Sequence, residues 1–347
     1  MHTSDILILR GDDVRQLLEG QETAILAAVR RSYEIHGSGE SFVPHSTFLS
    51  FPNGNSNRII ALPAYLGDEF DTAGIKWISS FTSNLSLGLE RASAVVILNS
   101  MSTGRPEAIL EGSVISAKRT AASAALAAIS LHHEQNETRA GLIGCGSINF
   151  EIVRFLKTVF PNLAELVVFD LDRQRGQQFA AKCEAKFGFA GIELAPQIDD
   201  VFRNCSLVSL ATTASQPHLA SLPETTSPRT ILHISLRDLA PEIILNADNV
   251  VDDADHVCRA RTSLDLAVQL AGSRDFIRCA LGDVLIGRAK PRDDVHNTTI
   301  FSPFGLGILD LAVSKLVRDL AHANDSGTVV PSFLPDSWIA VPENQAI

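Results

Sequence analysis

Two cations stand in this sequence where solvated charges are out of place. Lys76 lies in Gly74-Ile-Lys-Trp-Ile78, among large apolar residues, a setting where a lysine faces a cavity rather than open water. Burial lowers an ammonium's pKa towards neutrality, so such a lysine can exchange a proton with a reacting amine. Arg119, within Ile115-Ser-Ala-Lys-Arg-Thr-Ala-Ala-Ser-Ala-Ala125, carries the planar fork that binds a carboxylate through two parallel hydrogen bonds. Arg58 and Arg91 stand at or just before β-rich runs. Either could grip a further carboxylate, and a surface salt bridge is an equal reading for both. Cations for carboxylates, with a proton-handling group beside them, suit chemistry at an amino acid's C–N bond as it becomes an imine.

A nucleotide signature follows directly. The apolar run Ala140–Ile143 leads into Gly144-Cys-Gly146-x-x-Asn149 and then into a helical pattern. In that context the first glycine permits a tight turn, and the second lets the backbone approach a pyrophosphate at the helix's positive end. Ser147 and Asn149 complete the candidate cofactor loop, with Asn149 where a third glycine often stands. Asp170 ends the next apolar run, where a carboxylate accepts from ribose hydroxyls and repels a 2′-phosphate. This predicts NAD over NADP, with nearby Arg173 the one feature against it. Asp170 could instead cap the following helix, although Asp172 is better placed for that. Thr212, Thr213 and Ser235 end two later strands, at the sheet edge where open α/β folds bind ligands, and are expected beside the nicotinamide.

With a net charge of −11 and no clustered basic face, nucleic acid is a poor partner. No uninterrupted apolar stretch reaches the ~18 residues of a membrane span, so a cytoplasmic enzyme of small metabolites is expected. The five scattered cysteines form no Cys-x-x-Cys pair, which argues against a disulfide framework or a structural metal. Cys145 reads as a small loop residue. His132 and His133 read as a solvated helix end, and His45 and His233 as structural.

The elements that must position these residues differ between the two halves. Residues 13–36 have the spacing of one amphipathic helix, ended by glycines at 37–39. Short β-rich runs follow (47–51, 58–62, 73–78, 94–98), with a compositional turn at 52–57. A helix is predicted over 113–131. From 139 onward strands (140–143, 166–169, 207–211, 230–234, 249–252, 298–301) alternate with helices such as 148–158 and 172–179, the mark of a parallel sheet with crossovers. A final helix over 306–322 precedes an extended 328–335. The expected fold is α/β: a Rossmann-type doubly wound parallel sheet plus a mixed α+β domain for substrate binding and dimerisation. The boundaries fall at 1–133, 134–312 and 313–347, the last segment returning to the first domain.

Gly74-Ile-Lys-Trp77, Arg119-Thr-Ala-Ala122 and Phe301-Ser-Pro-Phe-Gly-Leu-Gly-Ile-Leu-Asp-Leu-Ala312 resemble three blocks of the ornithine cyclodeaminase and mu-crystallin family, and the resemblance spans nearly the whole chain. It implies an NAD-dependent homodimeric enzyme in which Lys76 and Arg119 contact substrate and Thr120 contacts the cofactor. Three segments depart from the cyclodeaminases: Val43-Pro-His45-Ser46 lacks their arginine, Ile60-Ala-Leu-Pro63 lacks their glutamate, and Ser235-Leu-Arg237-Asp238-Leu-Ala-Pro241 replaces the stretch holding their catalytic acid. Asp238 is the candidate substitute. The wording of 57–67, 76–81, 89–95 and 115–126 is similar to the 2,3-diaminopropionate biosynthesis branch. That branch implies NAD-dependent oxidation of N-(2-amino-2-carboxyethyl)-L-glutamate and hydrolysis to 2-oxoglutarate and L-2,3-diaminopropionate, for siderophores or peptide antibiotics. Three carboxylates on such a substrate match Arg58, Arg91 and Arg119. Ornithine cyclodeaminase or an amino-acid or ketimine reductase is the competing enzyme reading, and a mu-crystallin-like cofactor and ligand-binding protein the competing class.

Overall fold

A computed structural model describes residues 4–52, 57–293 and 295–335; most of the turn expected at 52–57, and the tail beyond 335, lie outside these. The strands are β1 (Ile6–Leu9), β2 (Ser41–Phe42), β3 (Thr47–Ser50), β4 (Arg58–Leu66), β5 (Thr72–Ser80), β6 (Ala92–Asn99) and β7 (Pro106–Glu111) in the first domain. The second contributes β8 (Arg139–Ile143), β9 (Glu165–Phe169), β10 (Gly191–Leu194), β11 (Leu207–Leu210), β12 (Arg229–His233), β13 (Asp248–Val251), β14 (Ile277–Ala280) and β15 (Thr298–Ser302). A last strand, β16 (Thr328–Val330), closes the described chain.

Strands β8 to β15 form one parallel sheet in the order β10-β9-β8-β11-β12-β15-β13-β14. The order reverses between β8 and β11, which opens a crevice at their C-terminal ends. Six of these eight strands match the sequence reading; β10 and β14, the two edges, escaped it. Their burial is only partial, so they lack the continuous apolar runs that mark interior parallel strands.

The first domain is a mixed sheet, β16-β1-β7-β6-β5-β4-β2, with β3 also paired to β4. Its core layer is helical. The single helix expected over 13–36 is two, α1 (Gly11–Leu17) and α2 (Glu22–Gly37), because Gly20 turns the chain at φ 72°, a conformation glycine adopts without steric cost. Helix α3 (Ser113–Leu131) packs against α2 and against α4 (Ser147–Val159). Its alanines 121, 122, 124, 125, 127 and 128 are all fully buried, and side chains this small let neighbouring helices approach closely. By length and composition α3 could cross a membrane, yet 67% of the relevant window is buried in this protein. In α4, Ile152, Val153, Phe155 and Leu156 are 0–1% exposed, each contributing roughly 1.5–3 kcal/mol of burial.

His132, read as a solvated helix end, is not solvated. It is 3% exposed, with Nδ1 3.0 Å from Thr230 Oγ1 and Nε2 2.9 Å from Glu137. Burial opposes ionisation of Glu137, but hydrogen bonds from His132, Ser206 and the Arg139 backbone hold its carboxyl at about 2. The junction is thus a packed polar lock.

The chain returns to the first domain earlier than a 312/313 boundary implies. The closing helix Gly307–Ala323 packs against α2, α3, β4 and β5. Its first residue already sits against β4, where a Cβ on Gly307 would lie 3.0 Å from the Leu62 carbonyl oxygen.

Candidate active site at the domain junction

The glycine loop forms at the β8–β11 reversal. Gly144 has φ 91°, and a Cβ there would lie 2.4 Å from the Ala211 carbonyl oxygen at the end of β11, so both conformation and packing demand glycine. Gly146 opens α4 in extended backbone, and a Cβ added to it would meet nothing within 4 Å. The loop therefore leaves a space at a helix N-terminus, where free N–H groups favour a phosphate. Ser147 is exposed at that terminus. Asp170, at the end of β9, accepts from the backbone N–H of Cys145 at 2.8 Å and of Asp172 at 2.8 Å. Arg175, rather than Arg173, is its cationic neighbour at 3.7 Å, while Asp172 caps the next helix through the Arg175 N–H. Burial pushes the Cys145 thiol up to about 12, which leaves it unreactive at neutral pH.

Asn149 turns away from this space. It is fully buried, with its amide nitrogen on the carbonyls of Ile143 and Gly144 and its oxygen accepting from Ser209 at 2.7 Å. That saturates its donors, so the Asn149 side chain shapes the loop from behind.

Asp238 is likewise a hub. The hydroxyls of Thr212 and Ser235 both donate to it, His218 Nε2 stands 3.1 Å away and His233 Nε2 3.4 Å away. Burial opposes its ionisation, but the hydrogen bonds from His218, His233 and Ser235 and the His233 charge hold the carboxyl far below its usual range. A carboxylate so held has no proton to donate near neutrality, so the geometry speaks against Asp238 as the catalytic acid. Thr212 and Ser235, expected at the nicotinamide, use their hydroxyls to anchor it. Thr213 is exposed beside them, and Thr120 is half-buried on α3.

The reacting centre gathers around a residue with no role in the sequence reading. Asp310, on the closing helix and 0% exposed, accepts from Lys76 Nζ at 2.7 Å and from Arg119 Nε at 3.0 Å. Ser116, one helical turn before Arg119, accepts from Lys76 at 3.2 Å and from Arg119 Nη2 at 3.3 Å. Two of Lys76's three N–H groups are thus engaged, and the third is available to a ligand. Lys76 is 2% exposed. Burial and the Arg119 charge push its pKa down to about 8, against the upward pull of Asp310. Gly305, at φ 95°, packs on the Arg119 guanidinium, where a Cβ would lie 2.9 Å from Nη1. Buried Asp252 fixes that loop by accepting from the N–H groups of Phe304 and Gly305. The one signal for Asp310 was an acid inside the apolar run Gly307-Ile-Leu-Asp-Leu-Ala-Val313.

Arg58 and Arg91 gather at the other end of the same strands. Arg58 pairs with Ser80 in the β4–β5 ladder, and Arg91 Nη1 donates to Ser80 Oγ at 2.8 Å. Burial lowers the pKa of both; for Arg58 the charges of Arg237 and Arg91 add to it. Among the described residues no three metal-ligating side chains converge.

A doubly wound sheet with a glycine cradle, apposed to a buried lysine–carboxylate–arginine cluster, defines the class: a two-domain dinucleotide-binding fold with a cationic site at its junction. The chain belongs to the ornithine cyclodeaminase/mu-crystallin family, whose profile matches residues 12–325. It is 28% identical over 341 residues to an alanine dehydrogenase of Archaeoglobus fulgidus, covering 95% of this chain and 99% of the relative. It is 27% identical over 340 residues to the N-((2S)-2-amino-2-carboxyethyl)-L-glutamate dehydrogenase of Staphylococcus aureus, covering 94% and 98%. A solved archaeal alanine dehydrogenase dimer with bound NAD superposes with a TM-score of 0.81 at 26% identity, covering 94% of this chain and 99% of that one.

Proposed function

We propose that the chain is an NAD-dependent oxidoreductase acting on the CH–NH group of an amino acid, and that its substrate is N-(2-amino-2-carboxyethyl)-L-glutamate, released as 2-oxoglutarate and L-2,3-diaminopropionate. The observation that carries this is the buried Lys76–Asp310–Arg119 cluster. The choice of substrate draws on the Staphylococcus relative, which matches 94% of the chain, and on the further arginines at 58 and 91. NAD fits the residues present: Gly144, Gly146 and the α4 N-terminus would hold the pyrophosphate, and Asp170 the adenosine ribose. When bound, NAD would supply the hydride acceptor for oxidation at the glutamate α-carbon.

Arg119, its fork oriented by Asp310 and Ser116, holds a substrate carboxylate through its remaining N–H groups. Lys76 takes the proton from the secondary amine as the C–N bond becomes an imine. Water then adds to the imine carbon, one of its protons passing to the imine nitrogen; Lys76 returns a proton to that nitrogen as the C–N bond breaks and takes up the carbinol proton as the ketone forms. The diaminopropionate would serve siderophore or peptide-antibiotic assembly, in the cytoplasm where NAD is at hand. Dimerisation through the first domain completes the reading, in line with the exposed apolar outer face of its sheet.

The test is NADH formation at its absorbance band with N-(2-amino-2-carboxyethyl)-L-glutamate, L-alanine and L-ornithine, with products identified by mass spectrometry. The expected result is 2-oxoglutarate and 2,3-diaminopropionate from the first substrate. Turnover of alanine or ornithine alone would overturn it.

A further inference from the structure

A cavity of about 340 Å³ lies between the domains, beyond the reacting cluster. From the first sheet come Ser50 and Arg58; from the second domain come His256, Arg259, Arg261 and Phe304. Directly opposed strand residues project to one side, and the pairings Ser50↔Arg58, Arg58↔Ser80 and Leu62↔Lys76 put Arg58 and Lys76 on one face. They stand four ladder positions apart, roughly 13 Å at about 3.3 Å per residue. Phe304 adjoins Gly305, which packs on the Arg119 guanidinium. The cavity therefore lies on the same face of the sheet as Lys76, next to the loop that packs on Arg119.

Its charge is unbalanced. Among the described residues, no carboxylate forms an ion pair with Arg58, Arg259 or Arg261, and Arg58 Nε is sealed from solvent with no hydrogen-bond partner. A buried N–H without an acceptor is costly and calls for an explanation. The opposing wall is a held turn: Ala260 and Arg261 both have positive φ, 56° and 55°, and Arg237 Nη2 donates to the Ala260 carbonyl at 2.8 Å. Such backbone strain in non-glycine residues persists only where the surroundings enforce it, and it concentrates at ligand clamps.

We propose that this cavity is the distal-carboxylate subsite, in which Arg58 of the first domain and Arg259 and Arg261 of the nucleotide domain together clamp the far carboxylate of a dicarboxylic 2-oxo or amino acid. Arg259 and Arg261 become specificity residues, selecting glutamate-like over alanine-like compounds. The subsite also ties substrate occupancy to closure of the two domains, since its cations come from both.

The proposal rests on the oxidoreductase reading only for where the α-carbon sits, and its test separates the two. With NADH present, calorimetry compares binding of 2-oxoglutarate and pyruvate, which share the 2-oxo acid head and differ in the distal carboxylate. The parent protein should bind 2-oxoglutarate at least tenfold more tightly, and the double variant R259Q/R261Q should bring the ratio near unity while pyruvate binding stays within twofold. Both positions are exposed, and NADH binding checks that the variant is folded. Equal affinities in the parent, or an unchanged ratio in the variant, overturn the subsite. A preserved preference with no oxidation of any N-substituted glutamate would instead overturn the substrate reading and leave the subsite standing.

Discussion

Lys76 is useful because its surroundings pull in opposite directions. Burial and Arg119 lower its pKa while Asp310 raises it, leaving it near 8. Below that pH it is an ammonium and cannot take a proton from the substrate amine. Above it the neutral amine can. The oxidative kcat/KM should therefore rise with pH through an inflection near 8. In Lys76→Met, kcat should fall about 10²- to 10⁴-fold and the inflection should vanish; a parent-like profile would show that the chemistry rests elsewhere. Asp310→Asn removes the one charge that raises the Lys76 pKa, so its inflection should move below 8. This shift in a stopped-flow pH series distinguishes a direct electrostatic role from a merely structural one. Lys76 and Arg119 were legible as single residues because each is a cation in an apolar stretch. Asp310 was not, because the partners that explain it lie 234 and 191 residues away in sequence.

At the scale of elements, the β8–α4 turn carries the cofactor proposal. A side chain at Gly144 meets both a positive φ and the Ala211 carbonyl oxygen. Gly144→Ala should lower NADH affinity at least tenfold by fluorescence titration while circular dichroism stays unchanged; wild-type affinity would remove the loop from the site. Asp170 marks the adenosine end. Asp170→Ser removes a negative charge that disfavours a 2′-phosphate, and Arg175 at 3.7 Å is ready to receive one. The ratio of kcat/KM for NAD to that for NADP should drop by an order of magnitude or more, and an unchanged ratio would refute the assignment. This turn was readable in advance because its glycines, strand and helix are contiguous. The contacts of Asn149 and Asp238 were not legible, because they are set by Ser209 and by His218 and His233, which only the folded sheet brings to them.

For the whole molecule, the first sheet has two faces of different purpose. One carries Lys76 and Arg58 towards the second domain. The other presents Leu49, Trp77 and Val95, 47%, 44% and 37% exposed, with Trp77 and Val95 directly paired across β5 and β6. Exposed apolar residues here suit the proposed dimer contact, and on that proposal Trp77→Glu should shift the protein towards monomer in analytical ultracentrifugation. A dimer that survives this change would place the interface elsewhere.

What the sequence determined by itself is whatever short-range pattern controls. The strand–helix alternation after 139, the helix over 113–131 and the glycine loop each follow from residues a few positions apart, where backbone sterics and side-chain period act directly. The tertiary structure decided the rest. It split the first helix at Gly20, buried His132 in the domain junction, recruited edge strands with no apolar run, and brought Asp310 between Lys76 and Arg119. These outcomes depend on which side chains meet after the closing helix packs back on the first sheet. Charges and hydrogen bonds take their strength from that enclosure, and nothing in the linear order of residues specifies it.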